Sequence, residues 1–206
     1  SASAVFLEKG YCFGGFRNIP ASLEIPLVGK VKSILLVRDP RDMLVSHYFS
    51  SAFSHPERGK KLASSKPQLE SRTFAEELAI DQYVIHIAEA YKIMFARYFE
   101  FMAQDPDMVV YRYEDFIYRK RDWLADVLDH LGWKVRPADQ KSIVDRYDQI
   151  PKAEQADQHV RQVHPGNYKT KLSPETIAKL DVIFARELSI FGYEPSRSGD
   201  GLRWRA

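Results

Sequence analysis

Cysteine is almost absent from this chain. Among 206 residues only Cys12 appears, which excludes an internal disulfide framework and any cysteine-built metal site. A single thiol is compatible with a reducing compartment, and a cytoplasmic location is expected. Long apolar runs are missing as well: no stretch reaches the roughly 18 residues of a membrane span. The opening Ser-Ala-Ser-Ala-Val-Phe-Leu-Glu lacks the basic start and apolar core of a signal peptide and reads as a chain entering in mid-fold. There is no internal repeat and no long linker. Nor does charge of one sign dominate, since 30 Lys and Arg against 28 Asp and Glu leave +2. Bulk charge therefore makes no case for nucleic acid, and none is expected as a partner. The local basic clusters Arg58–Lys61, Arg119–Arg121 and Arg203-Trp204-Arg205 are interspersed with acids and read as solvated surface.

What is present suffices for a core. A composition of 45% hydrophobic and 13% aromatic residues is that of an ordinary folded protein, expected here as one domain over residues 1–206. Lys32–Val37 and Met108–Tyr111 are short runs, apolar at consecutive positions, as in strands covered on both faces by helices. Thr73 with Glu76 forms a capping box. From there apolar residues recur at helical spacing through Leu78, Tyr83, Ile87, Tyr91, Met94, Phe95 and Phe99, predicting a long helix that ends near Asp105-Pro106. Trp123–Leu131 predicts another, stopped by Gly132. Ser173-Pro174-Glu175 starts a last helix, which Gly192 ends. Ser54–Ser71, with Pro56, Gly59 and Pro67, predicts a loop, and Ile150–Leu172 an irregular segment. Strand, helix, strand, helix gives an α/β class with a parallel sheet between helical layers.

The first strand runs straight into Arg38-Asp39-Pro40-Arg41-Asp42. Asp39 is placed as helix N-cap, Pro40 at the first helical position and Asp42 in an acidic first turn. Capping leaves Arg38 unexplained, because it brings positive charge to a helix N-terminus where the macrodipole disfavours it. A bound anion would resolve the conflict, and ligands of open parallel sheets sit at the carboxyl ends of strands. Ser46, two helical turns on, can offer a hydroxyl to the same anion.

Arg-Asp-Pro-Arg-Asp-x-x-x-Ser-x-Tyr resembles the 3′-phosphate motif of sulfotransferases that use 3′-phosphoadenosine 5′-phosphosulfate (PAPS). In that family the Arg and the Ser, here Arg38 and Ser46, grip the 3′-phosphate. Val110-Tyr111-Arg112-Tyr113-Glu114-Asp115-Phe116 is similar to the family's strand followed by Tyr-Glu-Asp. The resemblance sets Tyr113 against the adenine; packed on its own helix, Tyr113 would be a rim tyrosine. Arg161-Gln162-Val163-His164-Pro165-Gly166-Asn167-Tyr168-Lys169 resembles a second cofactor motif, Arg-Lys-Gly-x-x-Gly-Asp-Trp-Lys. Arg161, Gly166 and Lys169 match it, while Gln162 and Val163 replace its Lys-Gly pair. The three motifs occur in the family's order and imply its three-layer, P-loop-NTPase-like fold. They imply PAPS as sulfuryl donor, a small-molecule or carbohydrate acceptor with a hydroxyl or amine, and no metal.

Sulfuryl transfer needs a base for the acceptor's proton and donors for the leaving phosphate. Cys12 to Pro20 holds no His of the kind many cytosolic members use. Leu7-Glu8-Lys9-Gly10-Tyr11-Cys12-Phe13 resembles instead the Glu-Lys-Ser/Thr-Pro-x-Tyr-Phe of members acting on carbohydrate chains. Glu8 is then the candidate base and Lys9 a stabiliser of charge near the sulfuryl group; the alternative is a solvent-facing pair at a strand edge. His47 and His55 are further candidate bases, whereas His86 is expected to pack in the long helix. The family's opening Pro-Lys-x-Gly-Thr-Thr loop, which cradles the 5′-phosphosulfate, has no counterpart in the sequence. Two explanations follow: an N-terminally incomplete form of a longer protein, or a catalytically silent nucleotide-binding or interaction protein on the same fold. A nucleotide kinase would need a phosphate loop with Lys and a magnesium-holding Asp, and neither is found.

Overall fold

The computed structural model of the chain describes residues 12, 14, 24–54, 75–151, 154, 162–193 and 204–205. They fall into two compact units. One comprises Ser1–Val37, Ala90–Val144 and Ser198–Ala206; the other comprises Arg38–Glu89 and Asp145–Arg197.

The first unit is built on β1 (Ile34–Val37) and β2 (Val109–Arg112), paired in parallel with Ile34 opposite Val109 and Val37 opposite Arg112. Both strands fall where the apolar runs predicted them. The two faces of the pair pack on different helices. Leu35 lies against Phe101, Met102 and Met108, at and just beyond the C-terminal end of α2 (Ile80–Gln104). Ile34, Val109 and Tyr111 lie against Phe116, Trp123 and Val127, supplied by α3 (Tyr113–Phe116) and α4 (Lys120–Leu131). Phe116 stacks on Trp123 with ring centroids 4.5 Å apart, and the buried Tyr111 hydroxyl donates to Asp126 at 2.6 Å. At Gly29 (φ +73°) a Cβ would stand 2.5 Å from the Gln104 carbonyl oxygen, so only glycine lets this turn close on the end of α2.

One expectation about the sheet is corrected. Coverage on both faces holds for β2, whose Val109, Val110 and Tyr111 are all buried, but Leu36 of β1 is 50% exposed. Trp204–Arg205, within the basic tail, forms β3, antiparallel to β2 with Val109 opposite Arg205. Backbone polar groups on the side of β2 away from β1 need partners once the strand is buried, and β3 supplies them.

The second unit contains α1 (Pro40–Phe49), which opens into a π-helical turn over Ser50–Ser54, and the first turns of α2. It also contains α6 (Tyr168–Lys171), α7 (Pro174–Ile183) and α8 (Ala185–Phe191). Leu44, Val45, Tyr83, Val84, Leu180, Phe184 and Phe191 are among its fully buried side chains. The long helix begins at Ile80, after a separate helical turn at residues 75–77 and a bend at Leu78; Thr73 of the capping box lies outside the described residues. His86 is exposed, because Tyr83, Val84 and Ala88 form the buried stripe of α2 and His86 falls off it. The last predicted helix is two, broken at Phe184. Sequence reasoning missed α5 (Pro137–Tyr147), although Pro137 in its first turn was a usable signal. The loop expected over Ser54–Ser71 is, from residue 55 on, outside the described residues.

Polar contacts fasten this unit. Arg41, 7% exposed, donates from Nε to Asp39 Oδ1 at 2.9 Å and from Nη2 to Asp39 Oδ2 at 2.6 Å. Its Nη1 donates to Asp181 Oδ1 at 2.6 Å, and its guanidinium carbon sits 4.3 Å from the Tyr168 ring centroid. Burial works against the Arg41 charge, but the hydrogen bonds and charge of Asp39, with Tyr168 and Asp181, outweigh it and raise the guanidinium pKa above its ordinary value. Burial pushes the Tyr168 phenol up to about 12, with Arg41 opposing. Farther along, Asp81 Oδ1 accepts from the Ser173 amide at 2.9 Å and the Ser173 hydroxyl at 3.1 Å. Burial is the largest single influence on the Asp81 pKa and raises it, but the Ser173 amide and the Thr176 and Ser173 hydroxyls together outweigh it and hold the carboxyl below its ordinary value of 3.8.

Replacing Arg41 by Met leaves Asp39 buried without its counter-ion and is expected to cost about 3–5 kcal/mol in urea denaturation. A loss below about 1 kcal/mol would show that the pair does not hold the unit together. For Asp81→Asn the expected loss is about 1 kcal/mol at pH 7, since the carboxylate is largely solvent-screened. A depressed pKa stabilises the fold above the unfolded value and loses that effect as pH falls through the folded one. The gap between wild type and Asp81→Asn is therefore expected to narrow below pH 3.8, read from denaturation midpoints across the acid range.

Candidate functional site

The strand-to-helix corner folds as its residue types dictate. Asp39 caps α1, accepting from the Arg41 amide at 2.9 Å, with Pro40 at the first helical position and Asp42 in the first turn. Arg38 leaves β1 directly, its side chain 19% exposed.

Asp42 is 1% exposed. An isolated carboxylate so deep would be untenable. Three things sustain it: the positive end of α1, two backbone donors and a guanidinium. Gly166 N donates to Oδ2 at 2.7 Å and Tyr168 N to Oδ1 at 2.9 Å. Arg38 Nη2 lies 3.7 Å from Oδ2, beyond hydrogen-bond length. The charge of Arg38 at the helix N-terminus thus has a counter-charge inside the protein, which capping alone did not provide.

Gly166 takes φ +82°, a left-handed conformation that the turn after Pro165 needs and that a side chain would strain. That turn aims the amides of Gly166 and Tyr168 at one carboxylate, while the buried Tyr168 ring lies under Arg41. Lys169 begins exposed on the next turn. Ser46 sits half-buried on α1, its hydroxyl without a hydrogen-bond partner among the described residues.

Arg38, Ser46 and Gly166 therefore belong to one unit, and Asp42 joins the first motif to the second. Sequence reasoning gave Asp42 only a first-turn role and Arg41 none. The available signal was the density of charge: two acids and two arginines in five residues cannot all be solvated on one helical turn. Tyr113 belongs to the other unit and packs edge-on against Phe116, ring centroids 5.8 Å apart. Glu8, Lys9, Arg161 and His55 lie outside the described residues.

His47 is held more firmly than its place in the helix suggested. Its Nδ1 is hydrogen-bonded to the buried Tyr83 hydroxyl at 2.8 Å, with the rings stacked at 5.9 Å. The Tyr83 hydroxyl also reaches Ser51 Oγ at 3.3 Å. An open groove lined by Ile85, His86, Thr176 and Lys179 carries none of the predicted site residues. Among the described residues no group of three or more His, Cys, Asp or Glu is placed to hold a metal. No described helix is long and apolar enough to cross a membrane.

Comparison with curated proteins gives no match. A family model does match, over residues 20–192, and its description is the sulfotransferase domain. That span takes in Arg38, Asp42, Ser46, Tyr113, Arg161 and Gly166 and leaves Glu8 and Lys9 before it. With the parallel strand pair, its helices and the corner in that span, the chain belongs to the sulfotransferase domain family, an α/β family of sulfuryl-transferring enzymes.

Proposed function

We propose that the chain is a PAPS-dependent sulfotransferase whose acceptor is a hydroxyl or amine of a small molecule or carbohydrate. The observation that carries this reading is the juncture of the two phosphate motifs in one unit, within the family match. The three-layer, P-loop-like arrangement of the family is part of the proposal. It is supported by helices packed on opposite faces of the β1–β2 pair. A single domain over the whole chain is likewise part of the proposal.

The residues present suit the cofactor's 3′-phosphate. Arg38 Nη2 lies 3.7 Å from Asp42 Oδ2, and a guanidinium can engage a phosphate dianion with two parallel donors. Ser46 offers a hydroxyl. Arg161 would add a second cation, and Tyr113 would lie along the adenine. The Gly166 amide is committed to Asp42, so Gly166 contributes its turn and not its N–H. When bound, PAPS supplies a sulfuryl group on a phosphate leaving group. Glu8 would take the proton from the acceptor, and Lys9 would stabilise charge near the sulfuryl group. No metal is required by this set of residues.

Calorimetric titration with 3′,5′-adenosine bisphosphate against 5′-adenosine monophosphate tests the site. Wild type is expected to prefer the bisphosphate. Arg38→Ala should cut that affinity by roughly 30- to 100-fold, the worth of a charge-assisted pair, and Ser46→Ala by about fivefold. Equal binding of the two nucleotides by wild type would overturn the cofactor assignment.

A further inference from the structure

Arg41 and Asp39 are hydrogen-bonded to each other, whereas Asp42 meets Arg38 only at the longer ion-pair distance of 3.7 Å. Its two oxygens are instead used by the amides of Gly166 and Tyr168, 124 and 126 residues away in sequence. Arg38 stands beside Oδ2 at 3.7 Å. Asp42 Oδ2 thus faces a loop amide and Arg38 at once.

We propose that Asp42 is a positioning residue, which ties the Arg38 guanidinium to the Gly166–Tyr168 turn so that the 3′-phosphate is recognised only when that turn is docked. The inference rests on the cofactor reading above. It adds that a buried acid beside the phosphate site strengthens anion binding, the reverse of what its charge alone would do. As a mere counter-ion, Asp42 would compete with the phosphate for Arg38, and neutralising it would tighten binding. As a positioning residue it supports binding, because its two oxygens hold the turn by two amides and Oδ2 also faces Arg38.

Asp42→Asn separates these roles. An asparagine keeps one acceptor oxygen and turns an NH₂ toward the second amide donor, so one of the two tethers is lost. In the titration with 3′,5′-adenosine bisphosphate and 5′-adenosine monophosphate, the variant is expected to lose about tenfold in its preference for the bisphosphate. Affinity for the monophosphate should stay within about twofold, a split that general loss of structure would not produce. Unchanged or tighter bisphosphate binding by Asp42→Asn would overturn the proposal while leaving the cofactor reading intact. Absence of any preference in wild type would remove both. Should the variant not fold, hydrogen exchange on wild type decides. The bisphosphate, and not the monophosphate, is expected to slow exchange in a peptide spanning Val163–Leu172; equal effects of the two nucleotides there would overturn the positioning role.

Discussion

The buried carboxylate of Asp42 is the constraint around which the second unit is arranged. A charge at 1% exposure has to be met by donors whose positions are fixed, since the interior cannot reorganise as water does. The N-terminus of α1 meets it from below and the amides of Gly166 and Tyr168 from above. The turn at Gly166, the docking of α6 and the place of Tyr168 all follow from that. Because Tyr168 is fixed there, its ring is available to Arg41, which in turn is bound to the cap residue Asp39 and reaches Asp181 on α7. One buried acid thereby fixes the geometry of three helices.

Arg38 and Arg41 illustrate what a sequence can and cannot rank. Both follow a hydrophobic strand and neighbour an aspartate, and each is three or four residues from another charge. Local chemistry reads the cap, because Asp39 and Pro40 act on amides within one turn. The strands, the stop at Gly132 and the Ser173 cap were legible for the same reason: their causes lie within a few residues. Partners more than a hundred residues away are not legible in this manner. Arg41 proved to be consumed by the fold, with donors at 2.6–2.9 Å on two carboxylates. Arg38 is left at 3.7 Å from its acid. The motif resemblance selected Arg38, whereas Arg41 is taken up by Asp39 and Asp181.

The same logic explains the misses. β3 is two residues long and has no periodicity to detect; it exists because β2 has an open side. The bend at Leu78 and the break at Phe184 interrupt patterns that are continuous in hydrophobicity, since burial and backbone path are separate variables. His86 keeps helical register with apolar neighbours and still points outward, because α2 buries only one stripe in this unit.

The second motif gains a different meaning from its surroundings. Its departures, Asn167 and Tyr168 in place of Asp and Trp, look like erosion when phosphate contact is taken as the sole purpose. The structure gives those positions other work: the Tyr168 amide serves Asp42, and its ring serves Arg41. A cation needs an aromatic face there, which Tyr and Trp both offer, and a backbone donor, which every residue but proline offers. Gly166 has no such latitude, because φ +82° is strained for any side chain. What this turn must conserve is therefore its shape and its donors, and these survive the substitutions at the neighbouring positions. On the proposed reading, a turn anchored on Asp42 by two amides would hold the phosphate site in place before ligand arrives, and preorganised donors are worth more than donors ordered on binding.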